Sequence, residues 1–92
     1  MYVILVYDIC MDKNGQRILN KVFKTCKKFL VHIQNSTFEG DITEAQIAKL
    51  KYELGKYIRK DLDSVIIFKS RNEKWLQKEF WGIEDTGPSN ML

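Results

Sequence analysis

The sequence holds one proline, two cysteines and one histidine in 92 residues. So little proline, beside a 45% apolar and 29% charged share, leaves no proline-rich composition and is the mix of a globular protein. Cys10 and Cys26 can form one bridge at most, and their spacing matches no zinc site, so reduced thiols of a cytosolic protein are expected. With His32 alone, no Ser-His-Asp or Cys-His arrangement can be assembled; a lone strand histidine is more often packed or solvated than catalytic. No apolar run approaches the roughly 20 residues of a membrane span. The apolar opening, Tyr2 to Tyr7, lacks a basic leader and is interrupted by Asp8, so it is not read as a secretory signal. A soluble, cytoplasmic protein without membrane contact is expected. There is no internal repeat, and Gly15 is a lone loop glycine rather than part of a phosphate-binding loop. The excess of charge is small as well, 15 basic against 12 acidic residues for a net of +3, so its distribution matters more than its sum. A chain this short buries only about 60–70% of its unfolded surface. It has no room for an interdomain cleft, which makes a subunit interface the natural place for a site.

What is present orders itself into elements. Residues 2–7 are β-branched and aromatic without polar alternation, as in a central strand covered on both faces. Residues 10–15 carry loop signals. From 16 to 30 the period becomes helical: Ile18, Leu19, Val22, Phe23, Cys26, Phe29 and Leu30 form one apolar stripe, and Arg17, Lys21, Lys24 and Lys28 fall within about 60° of one another on the other side. Short strands are expected at 29–34 and 36–41. Asp41 or Thr43 is a plausible N-cap, and Thr43 with Gln46 has capping-box spacing before a second helix at 43–60, with Ile47, Leu50, Leu54, Tyr57 and Ile58 inward. Asp61 to Asp63 turn the chain into a strand at 64–69. The order β-α-β-β-α-β predicts an α+β, ferredoxin-like sandwich, an antiparallel sheet with both helices on one face. Residues 75–83, with Trp75, Phe80, Trp81 and Ile83, follow a fold already complete. They are expected to dimerise the protein as an extra C-terminal strand packing on the partner subunit. The domain then spans 1–83, and 84–92 is expected to be a flexible tail.

Two constellations could carry chemistry. Lys13, Arg17, Lys21, Lys24, Lys27 and Lys28 stand against Asp12 alone, and five basic residues between 49 and 60 stand against Glu53. Helix faces usually alternate charge for i, i+4 pairing. A stripe without interleaved acids suits a phosphate backbone, with Lys13, Arg17, Lys21, Lys24 and Lys28 as the nucleic-acid contacts. No aromatic pair marks a base-stacking platform. The second constellation is Asp8, a carboxylate at the C-terminal end of a central strand. On its own it reads equally as a loop or capping residue, because magnesium sites use one or two carboxylates together with phosphate oxygens and water. A two-fold axis near this strand end would supply the second carboxylate from the partner's copy.

Tyr7-Asp8-Ile9 closing an N-terminal strand, Arg17 early in a helix, and Gln34-Asn35-Ser36-Thr37-Phe38-Glu39 before a second helix resemble the CRISPR-associated protein two family, the small non-integrase partner in spacer acquisition. The resemblance runs over about residues 1–70. It implies a ferredoxin-like homodimer whose C-terminal strand lies on the partner's sheet, seated between two integrase dimers and holding duplex DNA. It also implies a magnesium-dependent endonuclease acting on single-stranded RNA or double-stranded DNA, with Asp8 as catalytic residue and metal ligand. Arg17 matches the family's helix arginine, and Ser36 and Phe38 match the segment near the two-fold axis, joined at the dimer interface by Trp75, Phe80 and Trp81. The sequence departs from the pattern in lacking a second arginine beside Arg17, where Gln16 and Ile18 stand. Three functions are therefore expected in competition: a DNA-binding scaffold, a metal-dependent phosphodiesterase in which magnesium is shared by Asp8 of both subunits, and a ferredoxin-like regulatory or ligand-binding dimer. No general base besides Asp8 is evident for the second.

Overall fold

The computed structural model describes residues 1–82. Ile83 and the expected tail at 84–92 lie outside the described residues. The apolar run at the N-terminus forms β1 (Tyr2–Asp8), which pairs antiparallel with β3 (Thr37–Asp41) on one side and β4 (Ser64–Ser70) on the other. β2 (Val31–Gln34) is the outer strand beyond β3, giving the order β2-β3-β1-β4. Helices α1 (Gly15–Phe29) and α2 (Glu44–Leu54) complete a ferredoxin-like βαββαβ domain.

The period of two in β1 separates its side chains onto two faces. Val3, Leu5 and Tyr7 are buried beneath the helices, against Ile18, Val22 and Cys26 of α1 and Leu50 and Leu54 of α2. Opposite Leu5 in the register lies Phe38, fully buried, with Phe23, Tyr7 and His32 around it at ring separations of 5.0 to 6.0 Å. Each such side chain contributes roughly 1.5–3 kcal/mol on leaving water. Cys26 is at 0% exposure, and burial pushes its thiol up to about 12. Both cysteines are free.

The other face departs from expectation. Ile4 and Val6 are only half-buried, and their partners across the ladder, Phe68 and Ile66, are 54% and 53% exposed. Continuous apolar character in β1 predicted cover on both sides. Both crossover helices pack on one side of the sheet, so the opposite side keeps an open apolar strip.

The helix boundaries have local causes. At the start of α2 the capping box forms: Gln46 N–H donates to Thr43 Oγ1 at 3.1 Å and Thr43 N–H to Gln46 Oε1 at 2.9 Å. Asp41, the other candidate cap, instead accepts the N-terminal ammonium at 2.9 Å. α2 ends at Leu54 rather than 60, with Gly55 as its C-cap. Tyr57 and Ile58 continue as turns that still pack on the core, and the Arg59 N–H is captured by Asp63 Oδ2 at 2.9 Å instead of a helical carbonyl. β2 likewise begins at Val31, because α1 holds the chain to Phe29. The β2–β3 turn passes through Asn35 at φ 37, and the ladder shifts register between His32 and Gln34.

Candidate nucleic-acid and metal site at the end of the central strand

Asp8 is the last residue of β1 and pairs with Ser64, the first residue of β4. Strand alternation puts its side chain on the open face, in line with Ile4 and Val6. It is exposed. The chain then turns through residues 9–14, anchored by buried Ile9, and enters α1 at Gly15. Gly15 is required there by contact. A Cβ at this position would lie 2.4 Å from the Cys10 carbonyl oxygen, so only glycine lets the start of the helix close on the loop.

The remaining acids near the loop are committed to Arg59. Its guanidinium donates from Nη1 to both Asp12 oxygens at 2.8 Å, from Nε to Asp63 Oδ2 at 2.9 Å, and from Nη2 to Asp63 Oδ1 at 3.0 Å. Nη2 also reaches the Cys10 carbonyl at 2.9 Å. The Asp63 side chain is fully buried and accepts the Cys10 N–H at 2.9 Å. Bonding to Arg59 lowers the Asp63 carboxyl to about 2 against the cost of burial, and lowers Asp12 below the usual carboxylate range. Asp12 and Asp63 in return raise the Arg59 guanidinium further. In the sequence Arg59 counts only as one of the five basic residues between 49 and 60, and Asp63 as part of the turn after the second helix. Their i, i+4 spacing was the one available signal. Asp12, far from both in sequence, gave none.

Arg17, Lys21, Lys24 and Lys28 are all exposed on α1, as is Lys13 in the loop. Because α1 runs back along β1, Lys13 and Arg17 lie at the Asp8 end, and Lys28 is about 16 Å further along the helix axis. The basic stripe belongs to the helix layer and Asp8 to the open face, so they form two surfaces that share one end. Lys28 is in addition paired with Glu53 at 3.3 Å. Among the described residues no cluster of three or more His, Cys, Asp and Glu side chains could hold a metal. Within one chain Asp8 is a single carboxylate, short of the donor set a divalent cation needs. Two copies of Asp8 would match the one or two carboxylates that magnesium accepts.

The residues expected at a dimer contact divide. Phe38 is at 0% exposure in its own chain, which makes it a core residue rather than a surface one. Ser36 is half-buried, and its carbonyl accepts the Tyr7 N–H at 3.0 Å. Trp75, in a short 3-10 turn (Glu73–Trp75), is 71% exposed, and Trp81 is 91% exposed. Phe80 is half-buried, with Lys78 Nζ 5.3 Å from its ring centre. Residues 76–82 form no strand within the chain. They return toward the sheet, where Lys78 pairs with Glu39 of β3 and Tyr2 Oη donates to the same carboxylate at 2.7 Å. Burial would raise the Glu39 carboxyl, but the bonds from Lys78 and Tyr2 outweigh it and leave it below its ordinary value.

This fold is shared with known proteins. A family model described as CRISPR associated protein Cas2 matches residues 1–78. The chain belongs to the Cas2 family. It is 55% identical over 92 residues to the CRISPR-associated endoribonuclease Cas2 of Fusobacterium nucleatum, covering all of this chain and 87% of the relative. The protein of the same name from Dictyoglomus turgidum is 45% identical over 92 residues, with both chains covered in full. Among solved structures, that of Streptococcus pyogenes Cas2 at pH 6.5 superposes with a TM-score of 0.79 at 28% identity, covering 89% of this chain and 100% of that one. A further Cas2 crystal structure gives 0.80 at 30% identity over 100% and 98%. The Cas2 fold thus accounts for the whole described architecture, helices on one face and an open sheet on the other. No helix among the described residues is long and apolar enough to cross a membrane.

Proposed function

We propose that this Cas2-family chain is a cytoplasmic homodimer of single domains spanning 1–83. In this reading it binds duplex DNA beside the integrase dimers during CRISPR spacer acquisition, and cleaves phosphodiesters in RNA or DNA with Asp8 as the catalytic residue. The observation that carries the reading is the exposed Asp8 at the end of an open apolar sheet face. Face-to-face association of two such sheets covers Ile4, Val6, Ile66 and Phe68 and brings the two Asp8 carboxylates toward a common axis. A contiguous exposed apolar strip of this kind supports that reading. Residues 75–83 add to it by pairing on the partner's sheet edge, where main-chain bonds and burial of Trp75, Phe80 and Trp81 act together. Support for nuclease activity comes from the relatives named endoribonuclease. The integrase partnership follows from the family resemblance alone.

Two carboxylates at one axis repel, so they take up a cation or a proton. Asp8 of both subunits would hold magnesium, which supplies a polarised water and neutralises charge on the phosphate oxygens. Arg17 and Lys13, at the same end, hold the nucleic-acid backbone. Lys21, Lys24 and Lys28 extend that contact along α1, and in the dimer the stripe is doubled.

The test is cleavage of labelled single-stranded RNA and duplex DNA, with magnesium or with excess chelator, by the wild type and Asp8→Asn. The substitution keeps the shape and removes both carboxylates from the dimer. Cleavage is expected to vanish while folding and DNA binding persist. Wild-type rates for Asp8→Asn, or cutting that survives the chelator, leave a DNA-binding scaffold without catalysis.

A further inference from the structure

Beyond Asp8, side chains hold the main chain where the sheet no longer does. The β1–β4 ladder ends at the pair of Asp8 and Ser64. Two residues on, the Cys10 N–H is bonded to Asp63 Oδ1 and the Cys10 carbonyl to Arg59 Nη2, each at 2.9 Å. An acid and a base thus occupy the two places that a neighbouring strand would fill. Asp63 immediately precedes Ser64, so the clamp is anchored next to the strand partner of Asp8. From there Arg59 Nη1 donates to both Asp12 oxygens at 2.8 Å, and Asp12 Oδ1 accepts the Asn14 N–H at 3.1 Å, which shapes the turn into α1. Gly15 closes on the same Cys10 carbonyl from the helix side.

Compensating one buried carboxylate would take a single cation. Arg59 uses its planar fork on three groups, two of which belong to the loop that follows Asp8, a task for which lysine has no equivalent geometry. We infer that Arg59, acting with Asp12, is a positioning residue for cleavage at Asp8: it ties residues 10–12 to the start of β4 and so fixes the backbone that aims the Asp8 carboxylate. This rests on the reading of Asp8 as catalytic. A reacting group set on rigid backbone loses no productive geometry to loop motion, and a misplacement of about 1 Å can cost of order 100-fold in rate.

The test uses the full chain carrying Asp12→Asn or Arg59→Lys. Asp12→Asn takes the charge and one of the two acceptor oxygens from the exposed half of the clamp and leaves the buried Arg59–Asp63 pair. Arg59→Lys keeps a cation beside Asp63 without the fork. Ile47→Val, on the buried face of α2 and away from the loop, serves as the stability control. For single-stranded RNA, kcat is expected to fall of order tenfold in both clamp variants. KM should stay level, or drop in Asp12→Asn because an acid near the phosphate path is gone. Amide exchange at residues 9–14 should quicken while Val3 and Leu5 stay protected. Electrostatics alone predicts the opposite sign for Asp12→Asn, tighter binding with no loss of kcat. Unchanged kcat with a loosened loop overturns the inference, as does a kcat loss matched by Ile47→Val. If Asp8→Asn itself cleaves at the wild-type rate, the catalytic reading falls and the positioning role falls with it. If Asp8→Asn is inactive and both clamp variants are fully active, the inference alone fails.

Discussion

Replacing Asp63 by asparagine removes a buried charge while keeping its outline. The Asp63 carboxyl is lowered from 3.8 to about 2, chiefly by its bonds to Arg59. At 1.36 kcal/mol per unit, that difference is worth about 2 kcal/mol of folding free energy. Because the folded value is depressed, the contribution is complete above the unfolded value and disappears as pH falls from about 4 to about 2. Asp63→Asn lacks it at every pH. The stability gap between wild type and variant should therefore shrink by about 2 kcal/mol between pH 6 and pH 2. Whatever gap persists at low pH reflects the amide's inability to accept from Cys10, Arg59 N–H and the guanidinium together. Near neutrality the change corresponds to roughly 10 °C in Tm for a domain of this size. Urea unfolding followed by far-ultraviolet circular dichroism is the suitable assay, since Trp75 and Trp81 are exposed in native chains and would report unfolding weakly. Protein concentration must be held constant if the chain dimerises. A gap that stays flat across this pH range would refute the argument that the Arg59–Asp63 pair stabilises the fold through charge.

Three further outcomes are expected. Gly15→Ala forces a Cβ to within 2.4 Å of the Cys10 carbonyl oxygen, so the loop must move; thermal melting should show a loss of about 1–3 kcal/mol, the usual cost of overpacking. Arg17→Glu with Lys21→Glu should weaken binding by a similar factor on unrelated duplexes and flatten the slope of log affinity against log salt by about 2 per subunit; loss on one sequence only would contradict a backbone contact. Truncation after Asn72 removes Lys78 from Glu39 together with the exposed tryptophans, and light scattering should report monomer or aggregate; a well-behaved dimer would show that the open sheet face suffices.

Local pattern was enough to define the elements. The switch from an unbroken β-branched run to a 3.6-residue period separates β1 from α1, and the Thr43–Gln46 capping box marks the start of α2, because these signals act within one or two turns of chain. The basic stripe of α1 was legible for the same reason, as was Asp8 at a strand end. The end of α2 was not. Its apolar spacing continues through Tyr57 and Ile58, but after the Gly55 C-cap the Lys56 and Tyr57 N–H groups bond three residues back, to Glu53 and Leu54, and the chain leaves the helix although Tyr57 and Ile58 still pack on the core. The apolar character of β1 could not say which of its faces the helices would cover, and the fully buried Phe38 could not be told from a surface aromatic. Nor could the clamp be read. Arg59 meets Asp12 across 47 residues and Cys10 across 49, and Gly15 owes its place to a carbonyl that approaches it only in the folded loop. Periodicity and capping are local and leave their mark in sequence; the partners of a buried charge and the open side of a sheet are decided only when the layers assemble.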